Sequence, residues 1–145
     1  MSNIEYLARG VCFVDGYVLL VRCTGAAITF LPGGHIDFGE KAPDCLSREI
    51  EEELALENTV VDRFLGAVEH KWEESGVEHH EINLVFELRL SGTGPPTPPV
   101  SREGHLEFLW AKPKELARHN LKPSPLIDYI CNHMQDERPY WGSTL

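Results

Sequence analysis

Apolar positions along the chain fall into runs of two periods. Residues 7–14 and 17–23 are rich in β-formers and flank Asp15-Gly16, two residues that tolerate positive φ, so they predict a hairpin. A short run at 28–31 leads into Pro32-Gly33-Gly34, which predicts a turn or loop. From 42 to 54 the period changes: Ala42, Leu46, Ile50 and Leu54 recur at every fourth position, which predicts a helix with Pro43 in its first turn. Two longer β-like stretches follow, 60–72 and 77–90, with Glu74-Ser75-Gly76 as their turn. Four prolines and two glycines within 91–99 predict an irregular exposed loop. Residues 106–111 predict a last strand, and 113–119 and 125–134 predict closing helices. The aromatic tail 139–142 has no predicted element. Strands, one helix, strands and then helices exclude a repeating βαβ pattern and predict an α+β or sandwich layout.

The 145 residues suit one domain spanning 1–145, and the 42% apolar and 25% charged content is that of a globular chain. No apolar run approaches the ~18 residues of a membrane span, and residues 1–5 lack the basic and apolar segments of a secretory leader. Cys12, Cys23, Cys45 and Cys131 are scattered without C-x-x-C spacing, so they predict buried, reduced thiols and a cytoplasmic location. A formal net charge of -10 argues against broad nucleic-acid binding but leaves a small anionic substrate open, because bound cations invert a local field.

The chemistry concentrates in residues 34–56. With Glu49 set at zero on a helical wheel, Glu52 falls at about -60° and Glu53 at about +40°, so three carboxylates share an arc. Leu46, Ile50 and Leu54, at about +60°, +100° and +140°, form the buried stripe beside it, and Glu51 points away. Like charges at these spacings repel. A hard divalent cation would offset the repulsion, although a glutamate-rich face taken alone also reads as simply solvated.

The surrounding residues favour the cation. The segment resembles the Nudix box, in which a glycine, a spaced glutamate and an Arg-Glu pair lead into a Glu-Glu pair. Here Gly34 is followed after five residues by Glu40, and seven more lead to Arg48-Glu49, Ile50, Glu51, Glu52-Glu53, Leu54, Ala55 and Leu56. Ala55 stands where the family usually has glycine, which bears on the turn that ends the helix more than on the chemistry. The resemblance implies a Nudix-type α/β/α sandwich with a mixed β-sheet. It also implies a pyrophosphohydrolase that uses Mg²⁺, with Mn²⁺ as a substitute, on a nucleotide-like small molecule. Glu52 and Glu53 are the first implied ligands, followed by Glu49, the carbonyl of Gly33, and Glu40. Arg48 is implied as the partner that holds a carboxylate such as Glu49 in one rotamer.

The general base has three candidates. Glu49 is one; Glu103, before the last strand, lies where MutT-like members carry such an acid; Glu81 in His79-His80-Glu81 is the third. Strand alternation puts Glu81 on the face of His79 and opposite His80. His70, His79 and His80 could suggest zinc, but they lack recurrent pairing. Trp72 and Phe30 could stack on a base, or serve as core and cross-strand partners. The resemblance therefore implies hydrolysis of a diphosphate linkage in a nucleoside diphosphate derivative or nucleoside triphosphate. The alternatives are an ADP-ribose or nucleotide-sugar pyrophosphatase and a non-catalytic nucleotide-binding module. The proline typical of ADP-ribose members, about fifteen residues beyond the box, is missing near Lys71, and a diadenosine-type tyrosine is missing too. An isoprenoid diphosphate isomerase fits poorly, because no cysteine has a catalytic setting. A homodimer stays open, since many members of the family dimerise.

Overall fold

The computed structural model describes residues 2–145, so Met1 of the 1–5 opening discussed above lies outside the described residues. Along the chain run β1 (Ile4–Val11), β2 (Phe13–Val14), β3 (Tyr17–Cys23), β4 (Gly33–His35), α1 (Ala42–Leu54), β5 (Val60–Glu74), β6 (Val77–Arg89), β7 (Leu106–Ala111), a 3₁₀ turn (Pro113–Glu115), α2 (Pro125–Asn132) and β8 (Tyr140–Ser143). A five-stranded sheet has the order β4-β1-β6-β5-β8, and a three-stranded sheet has the order β2-β3-β7. In the larger sheet β1–β6 and β5–β8 are parallel, whereas β1–β4 and β5–β6 are antiparallel, which gives the mixed sheet expected of this α+β fold.

The Asp15-Gly16 hairpin forms with both turn residues at positive φ, 49° and 84°, pairing Phe13 with Val18 and Val14 with Tyr17. The strand expected over 7–14 breaks at Cys12, where the chain passes from the larger sheet to the smaller. The Cys12 carbonyl accepts from the Leu19 amide, and the apolar pattern runs through the break without interruption. Gly33 and Gly34, expected in a turn, instead form an edge strand. Gly33 pairs with Arg9 at a φ of 140°, and a Cβ there would collide with the Ala8 carbonyl, so glycine permits the close approach. Of the helix expected over 113–119 only the 3₁₀ turn forms. Asn120 at φ 52° then redirects the chain so that Leu121 bridges Thr29. The tail without a predicted element is β8, which runs parallel to β5. Only Cys12 and Cys45 are buried; Cys23 and Cys131 are exposed, contrary to the expectation for all four thiols.

Side-chain alternation divides the core between two faces. Val18, Leu20, Val85, Val68 and Val11 pack with Leu126, Tyr129 and Ile130 of α2. Leu19, Val21, Phe86, Leu88 and Ala8 pack with Cys45, Leu46, Ile50 and Leu54 of α1. A helix thus covers each face, the α/β/α arrangement, and α1 lies against β4 and β1. No helix among the described residues is long and apolar enough to cross a membrane.

Candidate active site

The amphipathic period of α1 buries Cys45, Leu46, Ile50, Glu53 and Leu54 and turns Glu51 outward. Pro43 sits in the first turn, where no intrahelical donor is lost. The helix ends at Ala55, which adopts the left-handed conformation (φ 55°, ψ 28°) and donates its N–H to the Glu51 carbonyl. The turn that the family usually builds with glycine is therefore made with alanine, at the steric cost of a Cβ in that region.

Arg48 is the hub of the exposed side. Its Nε and Nη2 bind the two oxygens of Glu40 at 2.7 and 3.0 Å, and its Nη1 reaches Glu49 at 3.2 Å and Glu52 at 3.3 Å. Its Nη2 also donates to the His35 carbonyl, and Asp37 adds an ion pair at 3.5 Å. The expected fork on Glu49 is thus chiefly a fork on Glu40, because the fork geometry matches a carboxylate that faces it squarely. Both Glu40 oxygens are occupied, and the Arg48 hydrogen bonds, aided by the Asp37 amide, hold its carboxyl down at about 2. The same bonds push the Arg48 guanidinium pKa up. Beneath this network the Cys45 thiol lies 3.3 Å from the His35 carbonyl, and burial raises its pKa to about 12.

Glu49 and Glu53 face inward. A Cβ on Gly34 would sit 2.5 Å from the Glu49 carboxyl carbon, so this glycine makes room for the acid. Glu53 is only 7% exposed, and its Oε2 has no hydrogen-bond partner. Burial, with the adjoining Glu49 carboxylate second, pushes the Glu53 carboxyl up to about 8, against the pull of Arg9. A buried carboxyl oxygen without a donor, crowded by another carboxylate, fits a hard oxygen-seeking cation. The expected ligands are not all gathered, however: Glu40 and Glu52 are tied to Arg48. Among the described residues no three His, Cys, Asp or Glu side chains are already grouped for a metal.

The loop before β7 closes on the helix end. The Arg102 amide donates to the Glu53 carbonyl at 2.7 Å, and Glu103 adds to the charge around the Glu53 carboxyl. Glu103 itself pairs with His105 at 3.5 Å. Glu81 accepts a hydrogen bond from Asn83 Nδ2 at 3.1 Å. The three histidines diverge: His79 stacks on Trp72, His70 meets the Thr144 hydroxyl, and His80 lies on the opposite sheet face from both. Phe30 lies under the Arg9 guanidinium. The sequence reading passed over Arg9 and Asn83; their signal was a polar residue set inside an apolar run. Two cavities lie elsewhere and contain none of the carboxylates of α1. One of about 520 Å³ lies between Phe13, Arg63 and Met134, and one of about 310 Å³ lies under loop 92–100 against Leu54.

The NUDIX domain family model matches residues 6–129. An uncharacterised Nudix hydrolase of Nostoc sp. (strain PCC 7120) is 34% identical over 95 residues, 64% of this chain and 51% of that protein, so the chain spans about half the length of this relative. In structure the chain is similar to a MutT Nudix hydrolase from Burkholderia pseudomallei (TM-score 0.61, 24% identity, 78% of this chain and 86% of that one). It is also similar to an ADP-ribose pyrophosphatase from Streptococcus suis (TM-score 0.57, 15% identity, 97% and 99%). At these identities the likeness is one of fold. With the family matched along most of its length and the Arg-Glu and Glu-Glu pairs set on α1 beside the glycine strand, the chain belongs to the Nudix family.

Proposed function

We propose that the chain hydrolyses a diphosphate linkage in a nucleoside diphosphate derivative or a nucleoside triphosphate, with Mg²⁺, or Mn²⁺ in its place. The observation that carries this reading is the Glu49–Glu53 pair: two carboxyls forced together beside a glycine, one of them buried with an unpartnered oxygen. Glu49, Glu52 and Glu53 would hold the ion, with the Gly33 carbonyl as a further donor. Bound there, a divalent ion supplies positive charge against the diphosphate oxygens and the attacking water. Glu40 acts through Arg48, which it fixes by two hydrogen bonds and which in turn steadies Glu49 and Glu52. Glu103 is our choice of base, supported by the bond that ties its loop to the Glu53 backbone; its carboxylate would take the proton from water. Four free cysteines support a reducing, cytoplasmic setting.

The test is release of phosphate, pyrophosphate or nucleoside monophosphate from a panel of nucleotides with and without Mg²⁺, for the parent and for Glu103→Gln, Glu49→Gln and Glu81→Gln. Metal-dependent release that collapses in Glu103→Gln supports both the reaction and the base. Silence across the panel with nucleotide binding intact would favour a binding module without turnover.

A further inference from the structure

The face of the five-stranded sheet turned away from α1 changes character along its length. At one end Val11, Val85 and Val68 belong to the core under α2. Cross-strand register carries the same face on through Arg9, opposite Val85; through Asn83, opposite Leu7 and Val68; and through Glu81, opposite His70. Asn83 is 0% exposed. Its Nδ2 donates to the Val68 carbonyl at 3.3 Å and to Glu81 Oε1 at 3.1 Å. Two acceptors on that nitrogen fix the amide orientation and leave Oδ1 as a buried acceptor with no donor. Sheet building alone does not require such a group, and leaving it unpaired costs stability.

Arg9 joins this polar end to the carboxylates of α1. Its Nη1 donates to the Leu31 carbonyl at 3.1 Å, and its guanidinium lies 5.1 Å from the Phe30 ring centre. Glu81, Glu53 and Glu49 all lie within its electrostatic reach. Beyond Glu81 on the same face, the Trp72 and His79 rings stack 4.0 Å apart at 8°, a flat pair suited to another flat ring.

We propose that this polar end is the subsite for the nucleobase, and that it selects bases carrying an exocyclic amino group. The assignment rests on the diphosphate reading, which places the phosphates at the carboxylates of α1 and leaves the base to lie beyond Arg9. The chemistry of the choice is simple. Glu81, half-buried, presents a carboxylate acceptor that an amino group satisfies with an N–H donor, and the buried, unpartnered Asn83 Oδ1 keeps the edge behind it acceptor-rich; a base with a carbonyl at that position sets oxygen against oxygen. Arg9 keeps donors free for a carbonyl or phosphate oxygen of the same ligand.

Calorimetric binding of AMP against IMP and of CMP against UMP tests the assignment on the full chain. Each pair differs by an amino group in place of a carbonyl, with the adjoining ring nitrogen an acceptor in the amino partner and an N–H donor in the other. The parent is expected to prefer the amino partner by about tenfold or more, since a site built on hydrogen bonds discriminates strongly against a mismatched group. Glu81→Gln, which keeps the shape and changes the edge it presents, is expected to shrink the preference to roughly threefold or less by weakening the amino partners. Equal binding within each pair by the parent overturns the proposal. So does a uniform loss in Glu81→Gln with the ratios preserved, and so does absence of binding by all four at millimolar concentration. A parent that cleaves no diphosphate but keeps the amino preference would sink the hydrolase reading alone; hydrolysis without base preference would sink the subsite alone.

Discussion

Replacing Glu53 by glutamine should make the metal-free protein more stable while removing its activity. The carboxyl sits at about 8 in the fold, against an ordinary 4.5, chiefly because of its burial. The folded-state pKa is raised, so the contribution to stability is greatest below about 4.5 and is lost as pH climbs through 8. At pH 7 the unfolded chain has released this proton and the folded one retains it, which costs the parent roughly 3–3.5 kcal/mol at ~1.4 kcal/mol per pH unit over the 2.5 units above 4.5. Glutamine does not titrate, and its amide N–H donates to the Glu49 carboxylate that adjoins Glu53. For a chain of this size the gain corresponds to a rise in Tm of roughly 7–14 °C. Thermal unfolding of the parent and Glu53→Gln in EDTA from pH 5 to 9 is the assay, with nucleotide hydrolysis measured in parallel. The gain should be small at pH 5, grow through pH 7 and level off above 8. Excess Mg²⁺ should narrow the gap by stabilising the parent alone. A Glu53→Gln protein no more stable than the parent at pH 8, or one whose advantage is the same at pH 5, would refute the reasoning.

Four further variants probe the same geometry. Ala55→Gly relieves a left-handed alanine and should stabilise the fold by roughly 0.5–1 kcal/mol in urea denaturation, whereas a loss would mean that the Cβ makes an unrecognised packing contact. Gly34→Ala should displace Glu49 and lower kcat by about tenfold or more with the fold intact, since small misplacements of reacting groups cost that much. Gly33→Ala, by contrast, should lower Tm by opening the β1–β4 pairing; identical behaviour of the two variants would contradict the distinct roles drawn for them. Arg48→Lys keeps the charge but loses the fork, so the Glu40 carboxyl, held at about 2, should titrate closer to its ordinary range in a carboxyl-resolved NMR titration. The lowered pKa means that the parent keeps this contribution above about 4.5 and loses it as pH falls through 2, so Arg48→Lys should unfold at a higher pH on acidification.

Much of this arrangement was legible along the chain because it is local. The α1 boundaries, the Asp15-Gly16 turn and strand 106–111 follow from periodicity and turn chemistry, which act over a few residues. Even the burial of Glu53 was foreshadowed, since at about +40° it lies next to Leu46 at about +60° on the helical wheel. What escaped is set by long-range pairing. Nothing in Gly33-Gly34 distinguishes a turn from an edge strand until the Ala8 backbone lies against it. The β8 strand exists only because β5 offers an edge. The partner of Arg48 escaped for the same reason: Glu40 and Glu49 both carry carboxylates, and the loop before α1 decides which one faces the fork.

The hydrogen bond from the Arg102 amide to the Glu53 carbonyl ties the end of α1 and the loop before β7 into one unit. Glu53 carries both the inward acid and the carbonyl that anchors the 101–105 loop, so any displacement of its side chain is felt in its own backbone and relayed to that loop. The Arg102 amide is therefore a built-in reporter. Its rate of deuterium uptake should slow when a cation or ligand steadies Glu53, which gives occupancy of the centre a readout in a residue that never touches what is bound.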